Sequence, residues 1–221
     1  MSFRPKNKEE LQKREAIGII RASRFVRKYA RLNKPIDFNV VCEIHKQIFK
    51  DAWPEIAGVF RVENIEITDS KHLPCHYSKV ADDVRTADLE LLQKLKKLEL
   101  VAGMLWSADD PKQKVLDAFE NIVMVAAWLH HKITYIHPFR EGNGRVARLA
   151  ANLILERFGL IGISIKVEKE NKRIYRQALA QIDQRNDYEP LMNLIFEGLI
   201  DRYDGVTMKY YEYKDKRCEK R

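Results

Sequence analysis

An all-α fold is predicted by three features of the chain. Long stretches of helix-forming residues carry apolar side chains at three- and four-residue spacing, and the breaks between them fall at proline and glycine. Only one stretch, around residues 59–67, alternates as a strand would, so a single small β-hairpin is expected beside the helices. The 221 residues fit one domain with an elaboration at either end, and a hydrophobic fraction of 45% supplies an ordinary core.

The elements follow in order. Residues 9–32 are rich in helix formers, and Leu32-Asn33-Lys34-Pro35 closes that stretch because the residue before a proline avoids helical backbone. Asp37 can cap the next helix, where Val41, Ile44 and Ile48 share one face. After Gly58 comes the β-favouring run Val59 to Ile67, and residues 69–78, with Pro74 and two histidines, read as its continuing loop. Helix resumes near Ala81 and runs to about Leu100. Asp110-Pro111 marks another start, a capping side chain followed by proline in the first turn, and Val115, Phe119, Ile122, Ala126 and Leu129 form its core stripe. A helix from about Gly144 turns Val146, Leu149, Leu153 and Ile154 inward and stops at Gly159. Two more are expected at about 170–183, with Ile174, Ala178 and Ile182 inward, and at about 188–203, with Leu191, Leu194, Ile195 and Leu199 inward.

Several classes are excluded. No apolar run approaches the ~20 residues of a membrane-spanning helix, and the first residues lack the apolar stretch of a secretory signal. Cys42, Cys75 and Cys218 are odd in number, widely spaced and without a CxxC pair, which suits reduced thiols and a cytoplasmic location. The formal charge of +8 could serve nucleic acid, an acidic partner or an anionic ligand. No zinc finger, RNA-binding aromatic motif or basic heptad organises it, so nucleic-acid binding rests on charge alone and is not expected.

Chemistry concentrates between two core helices, in His137-Pro138-Phe139-Arg140-Glu141-Gly142-Asn143-Gly144-Arg145-Val146-Ala147-Arg148. Gly142 and Gly144 permit positive φ, so successive N–H groups can converge on an anion at the positive end of the following helix. Arg145 and Arg148 lie three apart and offer forked donors to phosphate oxygens. Glu141 is a hard oxygen ligand suited to Mg²⁺, and His137 is a base that can be neutral near pH 7. The segment is not a Walker A loop, since GxxxxGK[ST] is absent.

The segment resembles the Fic family pattern HxFx[D/E]GNGRxxR at every fixed position: His137, Phe139, Glu141, Gly142, Asn143, Gly144, Arg145 and Arg148. The resemblance extends upstream through Ile44-His45, Phe49, Trp53-Pro54, Ala57-Gly58, Phe60-Arg61 and Asn64-Ile65, and downstream through Tyr175 to Leu179 and Asp187 to Leu191. It implies a Fic-type helical bundle with a β-hairpin flap, and a catalytic domain over residues 37–203. Residues 1–36 would be an amino-terminal helical extension and residues 204–221 a basic, tyrosine-rich tail. The implied activity is transfer of AMP from ATP-Mg²⁺ to a hydroxyl side chain of a target protein, with release of pyrophosphate. His137 would be the general base and Glu141 the Mg²⁺ ligand. Gly142, Asn143 and Gly144 would cradle the α- and β-phosphates, Arg145 would meet the β-phosphate, and Arg148 the γ-phosphate. Phe139 would anchor the loop, and the flap at about 60–77 would receive the target by strand addition.

Plainer readings sit beside these. A lone histidine ending an apolar helix is usually structural, and the agreement of the acidic, glycine and arginine positions is what makes His137 a base here. His130 and His131 point to different sides of one helix and lack a third ligand at metal-binding spacing. His72, Cys75 and His76 fall in the expected flap and read as solvated. Within the family, an inhibitory glutamate commonly pairs with the second motif arginine, in the pattern [S/T]xxxE[G/N]. No such pattern precedes the domain. Met208 to Tyr213 resembles the tail version and nominates Glu212, while Asn193 to Gly198 nominates Glu197. A separate inhibitor protein is a further option. The alternatives to AMP transfer are a relative moving another phosphate-containing group, or an inactive or nucleic-acid-binding scaffold. The intact acidic-glycine pattern argues against a kinase-like branch, and intact His137 and Glu141 argue against a dead site.

Overall fold

The computed structural model describes residues 5, 7–32, 34–67, 70, 72–106, 111–165 and 169–218, with side chains described except at 104, 106, 169, 170 and 205–218. Seven α-helices are found among them: α1 (Lys8–Ala30), α2 (Phe38–Phe49), α3 (Val80–Val101), α4 (Lys112–Ile136), α5 (Asn143–Arg157), α6 (Lys169–Arg185) and α7 (Glu189–Cys218). The antiparallel pair α4–α5 forms the centre. Helices α1 and α2 cover one side of it, α3 and α7 pack on α4, and α6 leans on α7. No helix among the described residues is long and apolar enough to cross a membrane.

Local chemistry sets the helix ends. The Asn7 side chain accepts from the Glu10 N–H at 2.8 Å to start α1, and Asp37 accepts from the Val40 N–H at 3.1 Å to start α2. Pro111 stands at the N-cap of α4, one place earlier than expected, and Asp110 lies outside the described residues. Ile122, Ala126, Leu129 and Ile133 of α4 are fully buried against Val146, Leu153 and Ile154 of α5. Helices α1 and α2 cross closely at Gly18, where a Cβ would stand 1.9 Å from the Ile48 carbonyl oxygen.

Two expectations are corrected. Ile174 is exposed, and Tyr175 takes the inward place on α6 with Ala178 and Ile182, at the helical spacing of three and four. The β-hairpin is not found: no strand occurs among the described residues of 60–77, which include all but 68, 69 and 71. The alternating run has no partner strand there. Its polar groups are instead spent on a knot around Arg61, described below.

Candidate functional site

The chain leaves α4 at His137 in a left-handed conformation, φ 52° and ψ 56°, which is rare for a residue with a side chain. This turn carries the imidazole out of the helix axis toward an open cavity of about 1220 Å³ lined by His137, Glu141 to Arg145, Arg148 and the face of α6. His137 Nδ1 lies 3.0 Å from the Thr134 carbonyl. A carbonyl only accepts, so Nδ1 carries the proton and Nε2 keeps its lone pair. Burial lowers the pKa below 6.5, which the Thr134 bond partly offsets, so the ring is a neutral base at pH 7.

The loop after His137 is held by groups far away in sequence. The side chain of Asn143 is buried and makes two bonds to Phe139, accepting from its N–H at 2.9 Å and donating to its carbonyl at 2.7 Å. That leaves only the backbone of Asn143 for an anion. His45, fully buried on α2, stacks on Phe139 at 4.0 Å, accepts from the Gly58 N–H at 2.8 Å and donates to the Glu141 carbonyl at 3.0 Å. Its burial pushes its pKa down to about 4, so it acts as a neutral bolt. Gly142 takes φ 81°, and a Cβ there would meet the Phe49 ring at 2.5 Å. Helix α5 starts on Gly142 with no side-chain cap. The N–H groups of Asn143 and Gly144 in its first turn have no carbonyl one turn back, so they are available to an anion.

Arg61 is a hub that the sequence did not single out for chemistry. It is 4% exposed; its backbone N–H donates to the Pro138 carbonyl at 2.8 Å, and its guanidinium to the carbonyls of His137 at 2.9 Å, Glu63 at 3.0 Å and Cys75 at 2.5 Å. Both ends of segment 60–77 are thus tied to the His137 turn. His72 adds a further tie, stacking on Tyr135 at 4.4 Å and meeting its carbonyl at 2.8 Å, where a solvated ring was expected. Cys75 is half-buried beside Arg61, and burial raises its pKa to about 11, so it is no nucleophile at neutral pH.

The two motif arginines have different surroundings. Arg145 donates to Glu15 of α1 at 2.6 Å and to Glu141 at 3.0 Å, with its guanidinium 5.0 Å from the Phe49 ring centre. No sequence signal joins Glu15 to Arg145, 130 residues away. Arg148 is partly buried and lines the cavity together with Tyr175 of α6. Glu212 falls in the part of α7 whose side chains lie outside the described residues; α7 itself continues as helix through Cys218. His130 and His131 both turn toward α6: His130 approaches Tyr175, and His131 meets Asp183 at 2.8 Å.

Glu141 is half-exposed, with Oε1 bonded to the Gly142 N–H and to Arg145, both at 3.0 Å, and Oε2 outside these bonds. No group of three or more His, Cys, Asp or Glu among the described residues could enclose a metal. One available carboxylate oxygen beside an anion cradle still fits Mg²⁺, which takes one or two carboxylates and completes its shell with phosphates and water.

The sequence model of the Fic/DOC family matches residues 35–155, more than half of the chain. The chain belongs to the Fic/DOC family. Among curated Fic relatives it is 29% identical over 207 residues to the protein adenylyltransferase Fic of Nematostella vectensis, a match covering 92% of this chain and 42% of that one. It is 27% identical to the protein adenylyltransferase fic-1 of Caenorhabditis briggsae, over 87% of this chain and 34% of that one. The chain thus spans less than half the length of these relatives. A solved structure of C. elegans Fic-1 superposes with a TM-score of 0.65 at 22% identity, covering 95% of this chain and 56% of that one. The Fic domain of a Bartonella quintana protein with bound ADP superposes at 0.59 and 19% identity, covering 87% and 86%. These likenesses establish the Fic fold; the site geometry above is this chain's own.

Proposed function

We propose that this Fic protein transfers AMP from ATP to a hydroxyl side chain of a target protein. The observation that carries the reading is the pairing of a base with an anion cradle in one cavity: His137, neutral with Nε2 unprotonated, and the uncapped N–H groups of Asn143 and Gly144. The relatives described as protein adenylyltransferases support it.

In this reaction His137 Nε2 takes the proton of the target hydroxyl as its oxygen bonds to the α-phosphorus. The bond from the α-phosphorus to the bridging oxygen of the β-phosphate breaks, and pyrophosphate leaves with that electron pair. Gly142, Asn143 and Gly144 hold the α- and β-phosphates at the N-terminus of α5. Arg145 adds positive charge by the β-phosphate while Glu15 anchors it, and Arg148 binds the γ-phosphate. Glu141 would hold Mg²⁺, which supplies charge neutralisation across the α- and β-phosphates. Phosphoryl-type transfer needs little beyond such positioning and charge.

The catalytic unit would be residues 37–203, with α1 bracing it through Glu15. Segment 60–77 would accept an extended target by strand addition, its own strand pairing forming with the target in place. A reducing compartment such as the cytoplasm suits the free thiols of Cys42 and Cys75. Restraint would come from Glu212 on Arg148 or from a separate inhibitor protein. For Glu212 to act in its own chain, α7 would have to bend: Leu199 is the last buried residue among its described side chains, and 13 further residues of straight helix span about 20 Å.

ATP labelled at the α- or γ-phosphorus, incubated with the purified protein, tests the reaction. Protein labelled from the α-position alone is expected. Label from the γ-position, or from neither, would refute AMP transfer.

A further inference from the structure

The helix that carries the base is finished by another part of the chain. The last carbonyls of a helix have no partner within it. At the end of α4, the Thr134 carbonyl lies 3.0 Å from His137 Nδ1 and the Tyr135 carbonyl 2.8 Å from His72 Nε2. The carbonyls of His137 and Pro138, next along the turn, accept from Arg61, through Nε at 2.9 Å and the backbone N–H at 2.8 Å. A carbonyl only accepts and a guanidinium only donates, so the direction of these bonds is fixed. Two residues of segment 60–77 thus cap the end of the helix on which His137 stands.

Arg61 does more than cap. It is 4% exposed, and its other two nitrogens donate to the carbonyls of Glu63 at 3.0 Å and Cys75 at 2.5 Å. One rigid plane therefore joins the turn of the base to both ends of the segment. No carboxylate is among its described partners, and the negative end of α4 is what its charge faces. The same bonds account for the backbone of His137. A residue before proline favours extended backbone, yet His137, before Pro138, holds φ 52° and ψ 56°. Such a conformation persists only where the surroundings over-determine it, and here Arg61 grips two successive carbonyls of the turn.

We infer that Arg61 is a positioning residue that sets the imidazole of His137 in register with the segment on which a target would lie. Its fork fixes the turn from which the ring leaves α4, and the same fork holds residues 63 and 75. A hydroxyl presented along the segment therefore arrives at a set distance from Nε2. The phosphate cradle has supports of its own, Asn143 on Phe139 and His45 on Glu141. The inference rests on the reading of His137 as the base and of segment 60–77 as the docking edge, and in it Arg61 acts through His137 alone.

Arg61→Lys tests it, because lysine keeps positive charge at the helix end and loses the planar fork. Ring ¹⁵N NMR of the full chain without nucleotide, at about pH 7.5 where the imidazole is neutral and with signals assigned by His137→Gln, should show wild-type His137 protonated at Nδ1 alone. In Arg61→Lys the ring should become a mixture of both tautomers, as the turn relaxes and the Thr134 bond is lost. Calorimetric titration with ATP and Mg²⁺ should agree with wild type within about twofold, since that binding does not depend on the base. Transfer of the α-label onto the protein should slow roughly 10²-fold with KM for ATP unchanged, the effect of displacing a reacting group by about 1 Å. An unchanged His137 ring signal in Arg61→Lys would overturn the inference, and so would ATP affinity falling as far as transfer, the mark of general loosening. Should Arg61→Lys not fold, the wild type carries the test. Its Arg61 Nε–H should exchange with solvent far more slowly than that of free arginine, and exchange at the free rate would overturn the inference. Absence of α-label transfer in the wild type removes AMP transfer and leaves Arg61 to be judged on the ring signal.

Discussion

Replacing Glu15 with glutamine tests whether α1 is part of the site's construction. The exchange keeps shape and removes charge from a 2.6 Å contact with Arg145, whose side chains are 17% and 22% exposed. Removing one partner of a fully buried pair costs about 3–5 kcal/mol, and an exposed pair contributes about 0–1 kcal/mol. This pair is mostly buried, but Arg145 retains Glu141 at 3.0 Å and the Phe49 face, so its charge is not abandoned. The expected loss is therefore intermediate, about 1–2 kcal/mol. Urea unfolding of wild type, Glu15→Gln, Arg145→Gln and the double variant gives the coupling directly. Coupling of about 1 kcal/mol or more is expected, and a lowered midpoint with an unchanged denaturant slope. Coupling near zero would mean that the contact holds nothing and that α1 only covers the core.

Three other outcomes are expected. Gly142→Ala combines a left-handed backbone with a Cβ 2.5 Å from the fully buried Phe49 ring, so it should cost about 2–4 kcal/mol in thermal or urea unfolding, and a loss under 1 kcal/mol would contradict the packing. Acid should destabilise the fold: His45 is neutral when folded, with a pKa near 4, against about 6.5 unfolded, so its contribution is complete above pH 6.5 and lost as pH falls toward 4. That loss is about 2–3 kcal/mol at pH 4.5 for this residue, and equal urea midpoints at pH 7.5 and 4.5 would refute it. Glu212→Gly, or truncation after Gly205, should raise automodification by roughly an order of magnitude if the tail restrains Arg148. Glu197→Gly should instead cost about 1 kcal/mol of helix stability; activation by Glu197→Gly alone would assign the restraint to the other glutamate.

The helices were legible because their information is local. Asp37 caps α2 as its position implied, and the inward faces of α4 and α5 follow their apolar spacing. On α6 the same reasoning favoured Ile174 over Tyr175, since it weighs apolar character and cannot see that a tyrosine hydroxyl meets His130 in the core. The alternating run Val59–Ile67 failed as a hairpin because alternation reports an extended backbone, and pairing needs a partner that the described residues do not provide. The motif was legible as twelve contiguous residues. The contacts that support it were not: Glu15, His45 and Arg61 reach it across 130, 96 and 76 positions, although His45 and Arg61 stand in the stretches that resemble the family. Only the three-dimensional path of the chain brings them together.

The central claim is a hydroxyl-directed AMP transfer in which His137 supplies the base. Mass spectrometry of the purified protein and lysate partners after incubation with ATP-Mg²⁺ tests it most directly, with His137→Ala run in parallel. Wild type should add AMP to Ser, Thr or Tyr side chains. The alanine variant should bind ATP with nearly unchanged affinity and transfer about 10²–10⁴-fold more slowly, the range that general-base catalysis supplies. AMP adducts forming at the wild-type rate without the His137 imidazole would contradict the account.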